Sequence, residues 1–360
     1  MFTSPRGCIV KRSHRKKVVM HGHERTEMSP VKSDRLRRSN PMHVELADSR
    51  DVGAAMQSPA AAISWENAIT AGKSAGRTPH ELKDALEALR AEIQLAEGTR
   101  ARLFRPIRGP RRIRLPERTL GDKAARILLS RDGRTGYARR LNQVDLKDLI
   151  FCHPMRDFSR RHGQGNKPVA YFSRTVGDLV ACESQHERRF AILADWHEAV
   201  AHIAAQPFTI DFPPDHELDS HTPDFAVIST SGAVVVVNVK WPSDAVDPDV
   251  VRRHEIVERL LARSGMQHVV WSGAPPVITE NLANFAAARV PDTMMRDAAP
   301  KLLAAYRPGI RVRTLLEAVA DMHHIPASTG LVVLRRLLWD HQLAVDMSAL
   351  FTVEAELRRP

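Results

Sequence analysis

Residues 221–242 read HTPDFAVISTSGAVVVVNVKWP and contain two apolar runs with a glycine between them. The runs within 222–230 and 232–241 are rich in β-branched residues, which favour strands. Gly232 lies where the chain must turn, and glycine is typical of such positions. The stretch therefore predicts a β-hairpin whose valine-rich second strand lies at the centre of a sheet.

Three polar side chains lie at the ends of these two strands. Asp224 begins the first strand, and Asn238 and Lys240 are two residues apart on the second, so both point to one face. A hairpin of this length brings Asp224 beside both of them. We expect Asp224 to ligate a divalent cation, which prefers carboxylates, substrate phosphate and water.

Two further metal ligands come from the same strand. The side-chain oxygen of Asn238 and the backbone carbonyl of Val239 are the candidates. Lys240 would orient or deprotonate an attacking water and offset phosphate charge, while a metal would stabilise the transition state and activate that water.

The helix predicted over 183–196 supplies a second acid. Glu183 and Glu187 are four residues apart and share a face, and Phe190 and Ala191 place Glu187 on the apolar stripe. A buried acid is costly without a partner, and a metal would be one. The alternative is a glutamate at the edge of the stripe that reaches solvent.

Strands and helices alternate around the hairpin, which predicts an α/β core. The other strands are expected at 168–173, 178–183 and 267–272, extended chain at 199–212, and helices at 248–264 and 279–289. Past Pro300 only helices are expected, at 301–306, 312–324 and 327–341, followed by a short strand at 342–347. Three helices and a β element suit a winged helix-turn-helix.

The N-terminal part of the chain has a different character. Residues 1–45 contain eleven Lys or Arg and four Asp or Glu, which predicts a disordered basic arm, and 46–77 suit a linker. One amphipathic helix is expected from residue 78 to Gly98. It is either a partner-docking element or a helix that packs on its own domain.

Two basic segments follow this helix. Residues 100–114 contain seven arginines, no acid and two prolines, so they are either an extended arm along phosphates or a solvated linker. The arginines of this arm assigned to DNA are Arg105, Arg108, Arg111 and Arg112. The stretch 156–167 is expected to be a loop with a potential phosphate-binding role.

Composition limits the function classes. Lys and Arg number 53 against 42 Asp and Glu, a net charge of +11, which favours nucleic acid as partner. No apolar run approaches the roughly 20 residues of a membrane helix, so no membrane partner is expected. The start of the chain lacks a secretory apolar segment, and three scattered cysteines favour a reducing cytosol.

The order of these motifs resembles the TnsA endonuclease family, which has a PD-(D/E)XK nuclease core. The matching residues are the S-x-x-E of 184–187, QPF of 206–208, TPDF of 222–225 and NVK of 238–240. The resemblance covers about residues 165–275. It departs at Asn238, where the general motif has Asp or Glu, although some members of the family have Gln there.

The resemblance implies a fold class and a domain order. The fold is α/β, a restriction-endonuclease-like mixed-sheet core followed by a mainly helical, winged-helix-like C-terminal domain. The expected divisions are the basic arm and linker (1–77), a helical and Arg-rich accessory region (78–164), the nuclease core (165–292) and the C-terminal domain (293–360).

The resemblance also implies a function. The chain would be the endonuclease subunit of a heteromeric transposase, dependent on Mg²⁺ or Mn²⁺, that cuts the 5′ (non-transferred) strands at transposon ends. Glu187, Asp224 and Lys240 would be catalytic, with Glu187 also a metal ligand, and Arg335 and Arg336 would contact DNA or a partner. A DDE-type transposase and an AAA+ ATPase regulator would be partners in a bacterial cytoplasm, at the nucleoid.

Two alternatives stay open. A catalytically degenerate subunit would keep the fold for DNA binding or scaffolding. A stand-alone restriction-type nuclease would act without partners.

Overall fold

The predicted β-hairpin is present in a computed structural model of the chain, which describes residues 64–71, 84–89, 91, 113–156 and 168–360. The strands in these residues are β1 Arg126–Ser130, β2 Gly136–Arg140, β3 Val169–Ser173, β4 Asp178–Cys182, β5 Val200–Ala205, β6 Thr209–Asp211, β7 Ser220–His221, β8 Phe225–Ser229, β9 Val234–Val239 and β10 Gln267–Trp271. The helices are α1 Trp65–Ala71, α2 Leu146–Ile150, α3 Gln185–Trp196, α4 Pro242–Ala245, α5 Pro248–Ala262, α6 Pro276–Ala286, α7 Asp292–Ala305, α8 Val312–His323 and α9 Ala327–Trp339. Residues 84–89 are also helical, and Leu141–Gln143 form a 3₁₀ turn.

A mixed sheet in the order β10–β9–β8–β5 carries the hairpin at its centre. β8 and β9 pair antiparallel, with Phe225 opposite Val237, and Gly232 turns between them at a φ of 85°. β10 runs parallel to β9. Parallel neighbours need a crossover connection, which α5 supplies.

Alternating side chains of the hairpin enter two cores. Phe225 and Val237 belong to a large core with Phe190 of α3, on one face of the sheet. Ala226 and Val236 belong to a smaller core with α5 on the other face. Both faces are therefore covered, which explains why β8 and β9 are almost continuously apolar.

A second, antiparallel sheet in the order β2–β1–β6–β7 adjoins the smaller core, and β3 pairs with β4. The sequence pattern does not predict the β1–β2 hairpin, because both strands are short and β2 is mostly exposed and basic. Leu86 of the helical stretch 84–89 is buried in the smaller core. That burial agrees with a helix that packs on its own domain.

The C-terminal region is helical, as predicted, with α7, α8 and α9 packed together. The expected helix start after Pro300 is wrong, because α7 begins at Asp292 and continues through this proline. Burial of Ala298, Ala299 and Leu302 on either side of it opposes the cost of the lost hydrogen bond.

The strand expected at 342–347 is also wrong. Within the described residues, Ala344 makes a single bridge to Arg358, and Arg311 makes another to Glu356. Side chains of α7, α8 and α9 belong to the same core as Phe190 and Val237. The predicted boundary at residue 293 therefore lies within one continuous core.

The residues described include no helix with both the length and the apolarity needed to cross a bilayer. These residues fall in one unit, which spans 58–360.

Candidate active site

Asp224 lies at the entrance to β8 and is fixed by the neighbouring strand. Its backbone N–H donates to the carbonyl of Val237 (3.1 Å), and its own carbonyl accepts from the N–H of Gln206 (2.8 Å). Oδ2 of the carboxylate accepts from the N–H of Val239 (2.7 Å) and from Nδ2 of Asn238 (3.4 Å). Asp224 is only 6% exposed, so the hairpin sets its carboxylate in a nearly dry position.

Glu187 lies in the first turn of α3 and takes part in capping that helix. Ser184 is the N-cap: its Oγ accepts from the N–H of Glu187 (3.1 Å) and donates to Oε1 of the same residue (3.0 Å). The N–H of Glu183 donates to Oε2 (2.7 Å). Glu187 is 8% exposed, so its carboxylate is buried on the apolar stripe and does not lie open to solvent.

The two carboxylates are close enough to affect each other. Burial raises the pKa of Glu187 to about 7, and the negative charge of Asp224 contributes to the rise. Burial also raises the pKa of Asp224, against the opposing effects of the Lys240 ammonium and the N–H of Val239. In the structure, Asp224 therefore interacts electrostatically with both Glu187 and Lys240.

Lys240 follows β9 directly, and its backbone is held from two sides. Its N–H donates to the carbonyl of Trp271 (3.0 Å), and its carbonyl accepts from Nε2 of His186 (3.1 Å). His186 stacks on the exposed ring of Trp241, with ring centroids 4.1 Å apart. The lysine therefore starts from a fixed backbone while its side chain stays half-exposed.

Asn238 is buried, with 2% exposure, and its Oδ1 has two neighbours that the sequence analysis did not assign. Nε2 of His221 lies 3.0 Å from it and Nε2 of His268 lies 3.1 Å from it. The oxygen expected to bind a metal is thus directed at two imidazoles. Val239 contributes its N–H to Asp224, and a ligand role for its carbonyl stays a prediction.

Sequence reasoning missed these histidines because they are far apart in the chain. His221 ends β7, His268 lies in β10, and His254 of α5 packs against both, with ring centroids 5.6 and 5.2 Å away. Only His221 carries a signal, since it adjoins the TPDF motif. The tertiary fold brings the three histidines together, and no spacing of residues in the sequence predicts this.

Arg156 is a second residue whose place emerges from the fold. Its N–H donates to Oε1 of Gln206 (3.2 Å), and its guanidinium pairs with Glu183 (3.0 Å). Its positive charge opposes the rise in the pKa of Asp224. Gln206, from the QPF motif, adopts a φ of 43°, which is uncommon for a residue other than glycine. The motif thus links Arg156 to Asp224 through the backbone.

Within the described residues, no group of three or more His, Cys, Asp and Glu side chains is arranged to bind a metal ion. The acids at the site are a pair, Glu187 and Asp224. Mg²⁺ is commonly bound by one or two carboxylates together with substrate phosphates and water.

The arginines predicted to contact DNA fall into two groups. Those of the arm lie outside the described residues: Arg105, Arg108, Arg111 and Arg112. Arg335 and Arg336 are half-buried on α9, which packs against α6, α7 and α8. Arg336 also pairs with Asp340 (2.6 Å). A DNA or partner contact from Arg335 and Arg336 stays a prediction.

A comparison with models of known protein families and with curated proteins found no match to this chain.

Proposed function

We propose that this chain is a metal-dependent DNA endonuclease, the subunit of a heteromeric transposase that hydrolyses the 5′ (non-transferred) strands at transposon ends. A DDE-type transposase and an AAA+ ATPase would be its partners. The mixed sheet is consistent with a restriction-endonuclease-like core, and the helical C-terminal region with a winged-helix-like domain. The motif resemblance supports the transposase part of the proposal.

One observation carries the nuclease proposal: two buried acids near the end of the hairpin act on each other electrostatically, and the charge of Lys240 acts on one of them. Glu187 and Asp224 are 8% and 6% exposed, and the pKa of each is raised by burial. A pair of carboxylates in such a place costs stability unless a cation accompanies it. Carboxylates whose pKa values are shifted in this way are concentrated at functional sites.

The donor set fits a hard divalent cation. Among the described residues, no hydrogen bond is made to Oδ1 of Asp224, while Oδ2 is held by Val239 and Asn238. Asp224 and Glu187 would hold Mg²⁺ or Mn²⁺. When bound, the cation would stabilise negative charge on the phosphate and lower the pKa of a water molecule.

The chain's own residues have distinct tasks in this proposal. The N–H of Val239 fixes the direction of the Asp224 carboxylate. Lys240 places an ammonium beside that carboxylate, where it would orient the attacking water and offset phosphate charge. Arg156, whose side chain is 45% exposed, would bind a neighbouring phosphate of the DNA.

A degenerate, DNA-binding subunit is the second candidate. The observation that favours it is the amide of Asn238, which adds no charge to the site and directs its oxygen at His221 and His268. Such a subunit would keep the fold and the net charge of +11 without binding a cation.

Metal binding separates the two candidates. We expect calorimetric titration of the parent protein with Mn²⁺ to show one site. Asp224→Asn should weaken the affinity for Mn²⁺ by at least about tenfold. The reason is that residues which only hydrogen-bond a metal ligand contribute about 10–100-fold, and a direct ligand contributes no less. The amide can still accept from the N–H of Val239, so the fold should persist.

Asp244→Asn is the matched control, since this exposed acid lies four residues after Lys240 and accepts from Ser243. It should bind Mn²⁺ as the parent does. Equal affinities of the parent and Asp224→Asn would overturn the site, and no binding by the parent would support the degenerate subunit.

A further inference from the structure

The strongest unassigned feature is the polar cluster behind Asp224. His221, His254, His268 and Asn238 are buried or almost so, and they meet on the face of the central sheet that α5 covers. Buried polar groups normally need partners, and those that have them are strongly oriented.

The hydrogen-bond chemistry of the cluster allows one arrangement. An ionised carboxylate only accepts, so the amide nitrogen of Asn238 faces Asp224 and its oxygen faces the histidines. That oxygen also only accepts. Nε2 of His221 and Nε2 of His268 must therefore both carry the proton, in the same neutral tautomer.

Burial keeps these imidazoles uncharged at neutral pH. It lowers the pKa of His221 to about 4 and that of His268 to about 3. Each ring then has one N–H, and both rings donate it to Oδ1 of Asn238. Two donors on one carbonyl oxygen fix the rotation of the carboxamide.

We infer that His221 and His268 are positioning residues that clamp the Asn238 carboxamide, so that its NH₂ group holds Oδ2 of Asp224 and leaves Oδ1 directed at the metal and substrate. This inference rests on the proposed function. Asn238 then acts through Asp224 and is not itself a ligand, which explains how an amide can occupy a position where the resemblance implies an acid.

His254 gives the matched control for this role. It packs against both rings, but its own ring nitrogens make no hydrogen bond within the described residues. A change at His254 disturbs the same packing without removing a donor to Asn238.

The test combines donor removal with donor rescue. Asn238 hydrogen-bonds the proposed ligand Asp224, and groups in that position typically contribute about 10–100-fold in metal affinity. The histidines act through Asn238, so the lower end of this range applies to them. His221→Leu and His268→Leu should each weaken Mn²⁺ binding about tenfold, measured by calorimetry on the full chain. His221→Gln and His268→Gln, whose amide nitrogen reaches the place of Nε2, should recover most of it, and His254→Leu should bind as the parent does.

A second readout does not depend on metal. Nitrogen-15 NMR of the parent should show both rings in the Nε2–H tautomer and slow exchange of the Asn238 side-chain amide. Leucine variants that bind Mn²⁺ as the parent does, glutamine variants as weak as leucine, or the opposite tautomer at either ring would overturn the clamp. If the parent binds no Mn²⁺, the nuclease proposal fails while the tautomers still decide the clamp.

Discussion

Lys240→Ala is expected to lower DNA strand cleavage about a hundredfold, or about 3 kcal/mol of transition-state stabilisation, while folding and DNA binding stay nearly intact. The reason is the position of its ammonium, which acts on the buried carboxylate of Asp224. If Lys240 merely extended into solvent from the end of the strand, its truncation to alanine would change the cleavage rate little. The measurement is the rate of nicking of a supercoiled plasmid in Mn²⁺.

Lys301→Ala is the matched control, because this lysine pairs with Asp297 on α7 and belongs to a different part of the fold. It should cut at the rate of the parent. If Lys240→Ala also cuts at that rate, the catalytic assignment of Lys240 is wrong.

Glu187→Gln is expected to stabilise the metal-free protein by about 3 kcal/mol at pH 8 and to change its stability little near pH 4.5. The folded pKa of about 7 lies above the ordinary value of 4.5. The carboxyl's contribution to stability is therefore present below pH 4.5 and is lost as the pH rises through 7. Glutamine mimics the protonated acid and removes this loss.

The free energy of unfolding in urea, measured at both pH values, checks this result. Glu258→Gln controls for the loss of one charge, since this glutamate is exposed on α5, and it should change stability by less than about 0.5 kcal/mol. The same gain in the free energy of unfolding at both pH values, or no gain at pH 8, would contradict the interpretation that Glu187 is one of two buried, interacting carboxylates. A substitution that raises stability while it removes the function of the acid shows the trade-off between stability and activity that is usual at active sites.

The central fold could be predicted because its signals are local. Four successive valines, Gly232 and the polar ends of the hairpin lie within 22 residues, and the helices predicted over 183–196 and 248–264 are present as α3 and α5. The grouping of Asp224 with Asn238 and Lys240 follows from strand alternation. The apolar stripe of its own helix made Glu187 a candidate, and the motif resemblance assigned it to the site.

Other features depend on distant contacts that no local pattern records. The histidine cluster joins β7, α5 and β10, and Arg156 reaches the site through Gln206. The β1–β2 hairpin is stabilised by pairing with β6, more than 60 residues away in sequence. The strand expected at 342–347 failed because its apolar residues pack against the helices and do not form a ladder.

Cleavage of DNA that contains a transposon end by the purified full-length protein, alone and with its partner transposase, in Mg²⁺ or Mn²⁺ and again with EDTA, tests the nuclease proposal most directly. We expect cut strands only when metal is present, a large loss of cutting in Asp224→Asn, and cutting at the parental rate in Asp244→Asn. A parent that leaves this DNA intact with either metal, both alone and with the transposase, or an Asp224→Asn protein that cuts as fast as the parent, would contradict it.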